Sequence, residues 1–215
     1  MKFDWSEITS LAYLYLINLN IKEFPLSSEK IKGDDGNTLI VSYQKYAKLA
    51  NINIDRLNLS GSLNDAYVMK NLPNMPSNMT IILYDNTKIS TRTKHSLLHE
   101  IGHLKCNHKK HGEKEEKEAH FFASQVNAPS ILIKEIVQRG YPLTTSSLKD
   151  YFALSEESAN KKLNYLKKYN FSHRNEYDDL VLEQFSEFFE LKFPPLSDDY
   201  YDSYFDDLEK DRNNW

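Results

Sequence analysis

Apolar and polar residues alternate with a helical period at the start of the chain. Between residues 4 and 20, apolar side chains recur at three- and four-residue steps, beginning with Trp5 and Ile8 and ending with Leu19. This spacing predicts an amphipathic helix. Short runs rich in β-branched and aromatic residues follow and predict three strands, at 39–43, 66–69 and 80–84. Residues 44–58 fit neither period.

From residue 90 onwards the pattern is almost entirely helical. A helix is expected to begin after Ser90 or Thr91, both favourable N-cap residues, and to reach Asn107. Further helices are predicted at 113–127, 130–140, 147–152, 156–169 and 177–192. Strands followed by helices indicate an α+β fold with a small antiparallel or mixed sheet and a mainly helical C-terminal part. The expected divisions are a domain at 1–140, a helix-turn-helix-like pair at 141–172, and an amphipathic helix with an acidic aromatic tail at 173–215.

Composition narrows the class of protein. The single cysteine, Cys106, excludes an internal disulfide framework and fits a reducing compartment. No signal-peptide pattern and no membrane-length apolar run is present, so we expect a cytoplasmic protein without membrane contact. Residues 176–215 carry thirteen acidic and three basic side chains, against 18 acidic and 24 basic elsewhere. This asymmetry fits either an interaction tail or a solvated helix face with a frayed end. Because no second basic patch supports the lysines at 161–168, no direct nucleic-acid partner is expected.

The segment His99-Glu100-Ile101-Gly102-His103 matches the H-E-x-x-H pattern of zinc peptidases. On a helix, His99 and His103 project from one face and can bind one metal ion. Glu100 is the candidate general base, which takes a proton from a metal-bound water. A third ligand is expected on the helix at 113–127. Glu118, at the border of its apolar stripe, is the first candidate and Glu115 is the second.

Two motifs together resemble the ImmA/IrrE family of metallopeptidases. The first is HEIGH at 99–103, and the second is EAHFFASQVNAP at 118–129. The resemblance implies a zincin-like fold in which a small sheet packs on the H-E-x-x-H helix. It also implies a Zn²⁺ site with His99, His103 and Glu118 as ligands, Glu100 as general base and endopeptidase activity. The substrate or partner it implies is a helix-turn-helix repressor of a phage or integrative element.

Three other interpretations remain open at the level of sequence. The protein could sequester the repressor without cutting it, as an antirepressor whose metal is structural. The protein could be a toxin or a stress regulator in which the acidic tail mimics nucleic acid or blocks the cleft. Manganese or iron could replace zinc, because ligand type alone does not separate these ions.

Several side chains near the motif could also be metal ligands or could have structural positions. His95 could be an additional ligand, but ligand crowding favours a structural position or one at the mouth of the site. We expect Cys106 to pack in the interior and His108, His111 and His120 to lie on the surface. Gly102 would leave room for a neighbouring strand or for the substrate backbone.

Overall fold

A computed structural model describes residues 4–57, 65–70, 76–110, 112–168 and 174–196 of the chain. The strands are β1 (Thr38–Ser42), β2 (Ala66–Lys70) and β3 (Thr80–Tyr84). The helices are α1 (Trp5–Asn18), α2 (Tyr43–Ala50), α3 (Ser90–Lys105), α4 (Glu113–Asn127), α5 (Ser130–Gln138), α6 (Thr145–Phe152), α7 (Glu156–Lys168), α8 (Asp178–Gln184) and α9 (Ser186–Lys192). None of these described helices is both long and apolar enough to cross a membrane. The fold is α+β, as the sequence predicts.

The sheet is small and mixed. Its order is β1-β3-β2, with β1 parallel and β2 antiparallel to the central strand β3. Ile81, Ile82 and Leu83 of β3 are almost fully buried, because helices or loops cover both faces of this strand. α3 packs against β2 and β3. The predicted arrangement of a small sheet against the H-E-x-x-H helix is therefore confirmed.

One hydrophobic core connects the two ends of the described chain. It includes Ile8 of α1 and runs through to Phe193 beyond α9. Phe24, in the loop after α1, packs its ring against Phe152, Phe185 and Phe188 at centroid distances of 5.1, 5.3 and 6.4 Å. The N-terminal loop and the C-terminal helices are thus held together by aromatic contacts. The domain boundaries at 140 and 172 stay a prediction.

Most predicted element boundaries lie within about two residues of the observed ones, and larger or informative differences occur at α2, at the start of α3 and at α8–α9. Ser42 accepts a hydrogen bond from the backbone N–H of Lys45, so α2 begins at Tyr43, in the range without a clear period. α3 begins at Ser90 itself, with Ile89 as N-cap and no capping side chain, so the predicted cap is wrong. The helix expected over 177–192 is divided at Phe185.

A tertiary contact lies beside the division at Phe185. Next to it, the Gln184 side chain donates hydrogen bonds to the backbone carbonyls of Leu16 and Ile21, at 3.1 and 2.5 Å. These bonds fix the end of α8 to the end of α1, and periodicity along one helix does not report them. The acidic tail from residue 197 onwards lies outside the described residues.

Candidate metal centre

Two small residues set how closely α3 and α4 approach. A Cβ atom built on Gly102 of α3 would lie 3.0 Å from both the Cα and the carbonyl oxygen of Ala119 in α4. That separation is tighter than ordinary van der Waals contact, so only glycine fits without a shift. The room that Gly102 leaves is filled by helix α4, which corrects the expectation of a strand or a substrate backbone. The contact brings the N-terminal half of α4 beside the two histidines of the motif.

Three side chains converge at this crossing. The Nε2 atoms of His99 and His103 are 3.1 Å apart. One carboxylate oxygen of Glu116 lies 3.2 Å from His99 Nε2, and the other lies 3.3 Å from His103 Nε2. Ligands of a tetrahedral zinc ion, each at ~2.0 Å, would be separated by ~3.3 Å. The three side chains therefore have the chemistry and spacing of a metal site. Among the described residues, they are the one group of three or more potential metal ligands that lie this close together.

The two imidazoles are more buried than the carboxylate, and burial keeps His99 neutral. His99 and His103 side chains are 14% and 5% exposed, whereas Glu116 is 41% exposed. Burial lowers the pKa of His99 to about 4, and the neighbouring imidazoles of His120 and His103 act in the same direction. A neutral imidazole offers a nitrogen lone pair to a metal. At neutral pH, His99 is thus in the form that binds a metal ion.

His103 is held by a chain of two further side chains. Its Nδ1 atom lies 2.9 Å from Nδ1 of His108, and Nε2 of His108 lies 3.0 Å from a carboxylate oxygen of Glu118. A carboxylate accepts, so His108 donates from Nε2, and its Nδ1 then accepts from His103 Nδ1–H. This order leaves the lone pair of His103 on Nε2, the atom that faces His99 and Glu116. We call this chain the His108–Glu118 relay.

The end of α3 explains how His108 reaches this position. Asn107 has a left-handed backbone with φ of 53°. The N–H of His108 donates to the carbonyl of His103, and that of Asn107 donates to Leu104, both at 3.0 Å. This is a Schellman motif, which reverses the chain after a helix. The reversal turns His108 back against the last turn of α3.

His99 lacks an equivalent support. Its Nδ1 atom is buried and has no hydrogen-bond partner among the described residues. Metal-ligating histidines normally donate their second N–H to an acceptor. The two imidazoles of the centre therefore differ, since the relay orients His103 alone.

The carboxylates named from the sequence lie elsewhere. Glu118 lies 3.0 Å from His108 Nε2 and 3.4 Å from Lys114 Nζ, and it is not part of the group formed by His99, His103 and Glu116. Glu115 lies near Gly112 and 3.9 Å from Lys110 at the start of α4. Residues two apart on a helix do not face the same way, so Glu116 and Glu118 cannot both point at the histidines. Sequence reasoning missed Glu116, and Glu118 as a metal ligand stays a prediction that these distances do not favour.

A signal for Glu116 was present in the sequence. Ala119 and Ala123 form the buried stripe of α4, and Glu116 precedes them by three and seven residues. Residues at these separations share a helix face. Glu118 adjoins Ala119 in sequence, but it lies about 100° away around the helix.

The structure also gives the positions of the other histidines and of the cysteine that were considered from the sequence. His95 lies beside His120, with Nε2 to Nδ1 at 3.3 Å, and its ring is 6.5 Å from that of His99. His120 is exposed, as expected, whereas His108 is 6% exposed and is not a surface residue. Cys106 packs against the core, and burial raises the pKa of its thiol to about 12. His111 lies outside the described residues.

Glu100 lies close to a buried phenol. Burial, and after it the charge of Glu100, raises the pKa of Tyr43 to about 12. Tyr43 is the first residue of α2 and is 2% exposed. The phenol thus remains protonated at neutral pH and can donate a hydrogen bond.

Comparison with known proteins gives one match. The Peptidase_M78 family model, described as the IrrE N-terminal-like domain, matches residues 47–164, which is more than half of the chain. Neither curated proteins nor solved structures gave a match. The matched range includes both histidines of the H-E-x-x-H motif, Glu116 and the His108–Glu118 relay. The chain belongs to the ImmA/IrrE family of metallopeptidases.

Proposed function

We propose that the protein is a metal-dependent endopeptidase in which His99, His103 and Glu116 hold a zinc ion and Glu100 is the general base. The observation that carries the proposal is the triangle of ligand atoms with sides of 3.1–3.3 Å. Two imidazoles and one carboxylate are a ligand set of catalytic zinc sites, which keep one position open.

Each side chain of the site would have a separate role in peptide hydrolysis. A zinc ion held there would supply Lewis acidity, which lowers the pKa of a bound water to about 7 and polarises a carbonyl oxygen. Glu100 would accept the proton of the attacking water and pass it to the leaving amine. The His108–Glu118 relay would hold His103 in the required tautomer.

For the substrate we propose a helix-turn-helix repressor of a phage or integrative element. The support is membership of the ImmA/IrrE family together with the resemblance of the 99–103 and 118–129 motifs. Cleavage would take place in the cytoplasm, a reducing compartment that fits a chain with a single cysteine.

The variant Glu100→Gln tests the function. It removes the base and leaves His99, His103 and Glu116 in place, so metal content should stay at one ion per chain while peptide cleavage falls by at least about 100-fold. Metal content is measured by elemental analysis and cleavage by mass spectrometry of a co-expressed repressor. Full repressor inactivation by Glu100→Gln would instead establish sequestration without proteolysis. Absence of metal in the wild type after zinc addition at pH 7.5 would refute the metal centre.

A further inference from the structure

A cavity of about 580 Å³ adjoins the candidate metal centre. The first turns of α3, the second half of α4, the turn between α6 and α7 and the first turns of α7 line it. His95 and His120 form the wall nearest the centre, and the ring of His120 lies 4.3 Å from that of His99. A peptide positioned at the metal centre would therefore have a neighbouring side chain within reach of the cavity, since an extended chain advances ~3.3 Å per residue.

Lys94 is one of the residues that line this cavity. Lys94 is 3% exposed, and its Nζ atom donates a hydrogen bond of 3.2 Å to the backbone carbonyl of Phe152. An ammonium has three donors, and this bond is the one that Lys94 makes among the described residues. Burial lowers the pKa of Lys94 to about 8, so the group is still mostly charged at neutral pH. A buried charge without an opposite charge is destabilising and marks a candidate functional group.

The other two cationic side chains of the cavity lining have carboxylate partners. Within the described part of the lining, Lys94 is the cation for which no ion pair is found. Arg92 binds Asp65, and Lys161 binds Glu157. The lining carries three cationic side chains and one acidic one, and the hydroxyl groups of Thr91 and Ser124 add hydrogen-bond donors. A negatively charged side chain is the ligand that matches this surface.

The bond to Phe152 also has a structural role. Phe152 is the last residue of α6, and a lysine there stabilises the exposed carbonyls of the helix end. A cap on the surface would perform that task without burying the ammonium beside a cavity. The helix cap accounts for one donor of Lys94, and the cavity is where the other donors can find an acceptor.

We propose that this cavity is a specificity pocket of the peptidase, and that it receives an aspartate or glutamate side chain of the substrate with the Lys94 ammonium as counter-ion. The inference rests on the proposed function, and it adds the chemical class of a substrate residue next to the cleaved bond.

Profiling of cleavage sites tests the pocket. A tryptic peptide library from a bacterial proteome is digested with the zinc-loaded wild type, and the new termini are identified by mass spectrometry. We expect aspartate and glutamate to be enriched at one fixed position within a few residues of the cleaved bond. For the best-cleaved peptide, replacing that residue by its amide should lower kcat/KM by about 10- to 100-fold, the usual effect of a lost hydrogen bond to a charged group.

Two lysine variants assign the preference. Lys94→Met should abolish the enrichment, while cleavage at other sites continues. Lys162→Met is the matched control, because Lys162 is also 3% exposed but does not line the cavity, and it should keep the wild-type preference. If Lys94→Met does not fold, the wild type still tests the preference through the acidic peptide and its amide. Equal kcat/KM values for the two peptides overturn the pocket.

The two possible failures differ in appearance. Cleavage without a preference for acidic residues, or a preference that Lys94→Met retains, overturns the pocket and leaves the peptidase function in place. Absence of any cleavage by the zinc-loaded wild type overturns the peptidase function and the pocket with it.

Discussion

At the scale of single residues, the third ligand depends on the direction in which a carboxylate leaves α4. Glu116→Ala should reduce bound zinc to well below one ion per chain, because it removes one of three ligands. Glu118→Ala should keep the ion near saturation at high zinc, because Glu118 acts through His108. Elemental analysis of both variants beside the wild type makes the comparison. Loss of metal in Glu118→Ala alone would restore the assignment made from the sequence.

The His108–Glu118 relay gives a second prediction at this scale. His108→Ala removes the acceptor that fixes the tautomer of His103, so zinc affinity should fall by about 10- to 100-fold. Glu118→Ala should have a similar effect, and the double variant should add little, since both changes break one chain. Competition with a chromophoric chelator at fixed pH measures the affinities. Fully additive losses would show that Glu118 and His108 act separately.

At the scale of elements, the α3–α4 crossing depends on Gly102. Alanine is favoured over glycine inside a helix by ~1 kcal/mol, which on its own would stabilise α3. Its Cβ atom would, however, lie 3.0 Å from the backbone of Ala119 and 3.2 Å from a ring carbon of Phe122. Overpacking of this kind typically costs about 1–3 kcal/mol, so we expect net destabilisation together with weaker zinc binding as Glu116 moves away. Denaturant unfolding and metal titration test both effects, and a variant more stable than the wild type would contradict them.

The contact of α7 with α4 and α5 gives a pH-dependent prediction. Lys162 is buried, and its Nζ atom contacts the side-chain oxygens of Gln125 and Ser130 at 3.3 and 3.1 Å. Burial lowers its pKa to about 7, below the ~10.4 of an unfolded lysine. Between these values the unfolded chain binds the additional proton, so this group makes stability increase as pH rises from about 7 to 10.

Lys162→Met should remove that increase. At pH 6, where the wild type buries a charged ammonium, the variant should be more stable by about 1 kcal/mol or more. The measured quantity is the difference in unfolding free energy between the two proteins from pH 6 to 10, which cancels contributions from other groups. A difference independent of pH would contradict the burial argument.

At the scale of the whole molecule, the C-terminal helices belong to the core. The buried residues beyond 173 that the core includes are Val181, Phe185, Phe188, Phe189 and Phe193. At about 1.5–3 kcal/mol for each buried side chain, their removal costs on the order of 10 kcal/mol, comparable with the total stability of a domain. A chain ending at 173 should therefore lose cooperative unfolding, as followed by calorimetry.

A chain ending at Leu196 is the matched control. It keeps every residue of the described core, so its melting temperature should stay within a few degrees of the full chain. Cooperative unfolding of the chain that ends at 173 would support the boundary at 172 that the sequence suggests. Comparison of the chain that ends at Leu196 with the full chain also shows whether residues 197–215 affect cleavage.

Much of the fold could be predicted because its signals are local. Each of these signals is contained in one short segment of the chain. Examples are the helical periods of α1, α3 and α4 and the β-rich runs of β1 to β3, and the structure confirms these elements. The strand order β1-β3-β2 and the attachment of α8 to the end of α1 through Gln184 depend on contacts between distant segments. A pattern within one segment contains no record of such contacts.

The sequence by itself determined the family, the α+β class and the imidazole pair, because a four-residue helical spacing places His99 beside His103 whatever surrounds them. Only the tertiary structure decided which carboxylate meets that pair. The rotation of α4 on α3 is set by the contact of Gly102 with Ala119, and it brings Glu116 to the histidines and leaves Glu118 beside His108. Both glutamates adjoin the buried stripe of one charged helix in the sequence, and the packing of that helix on α3 gives them different neighbours.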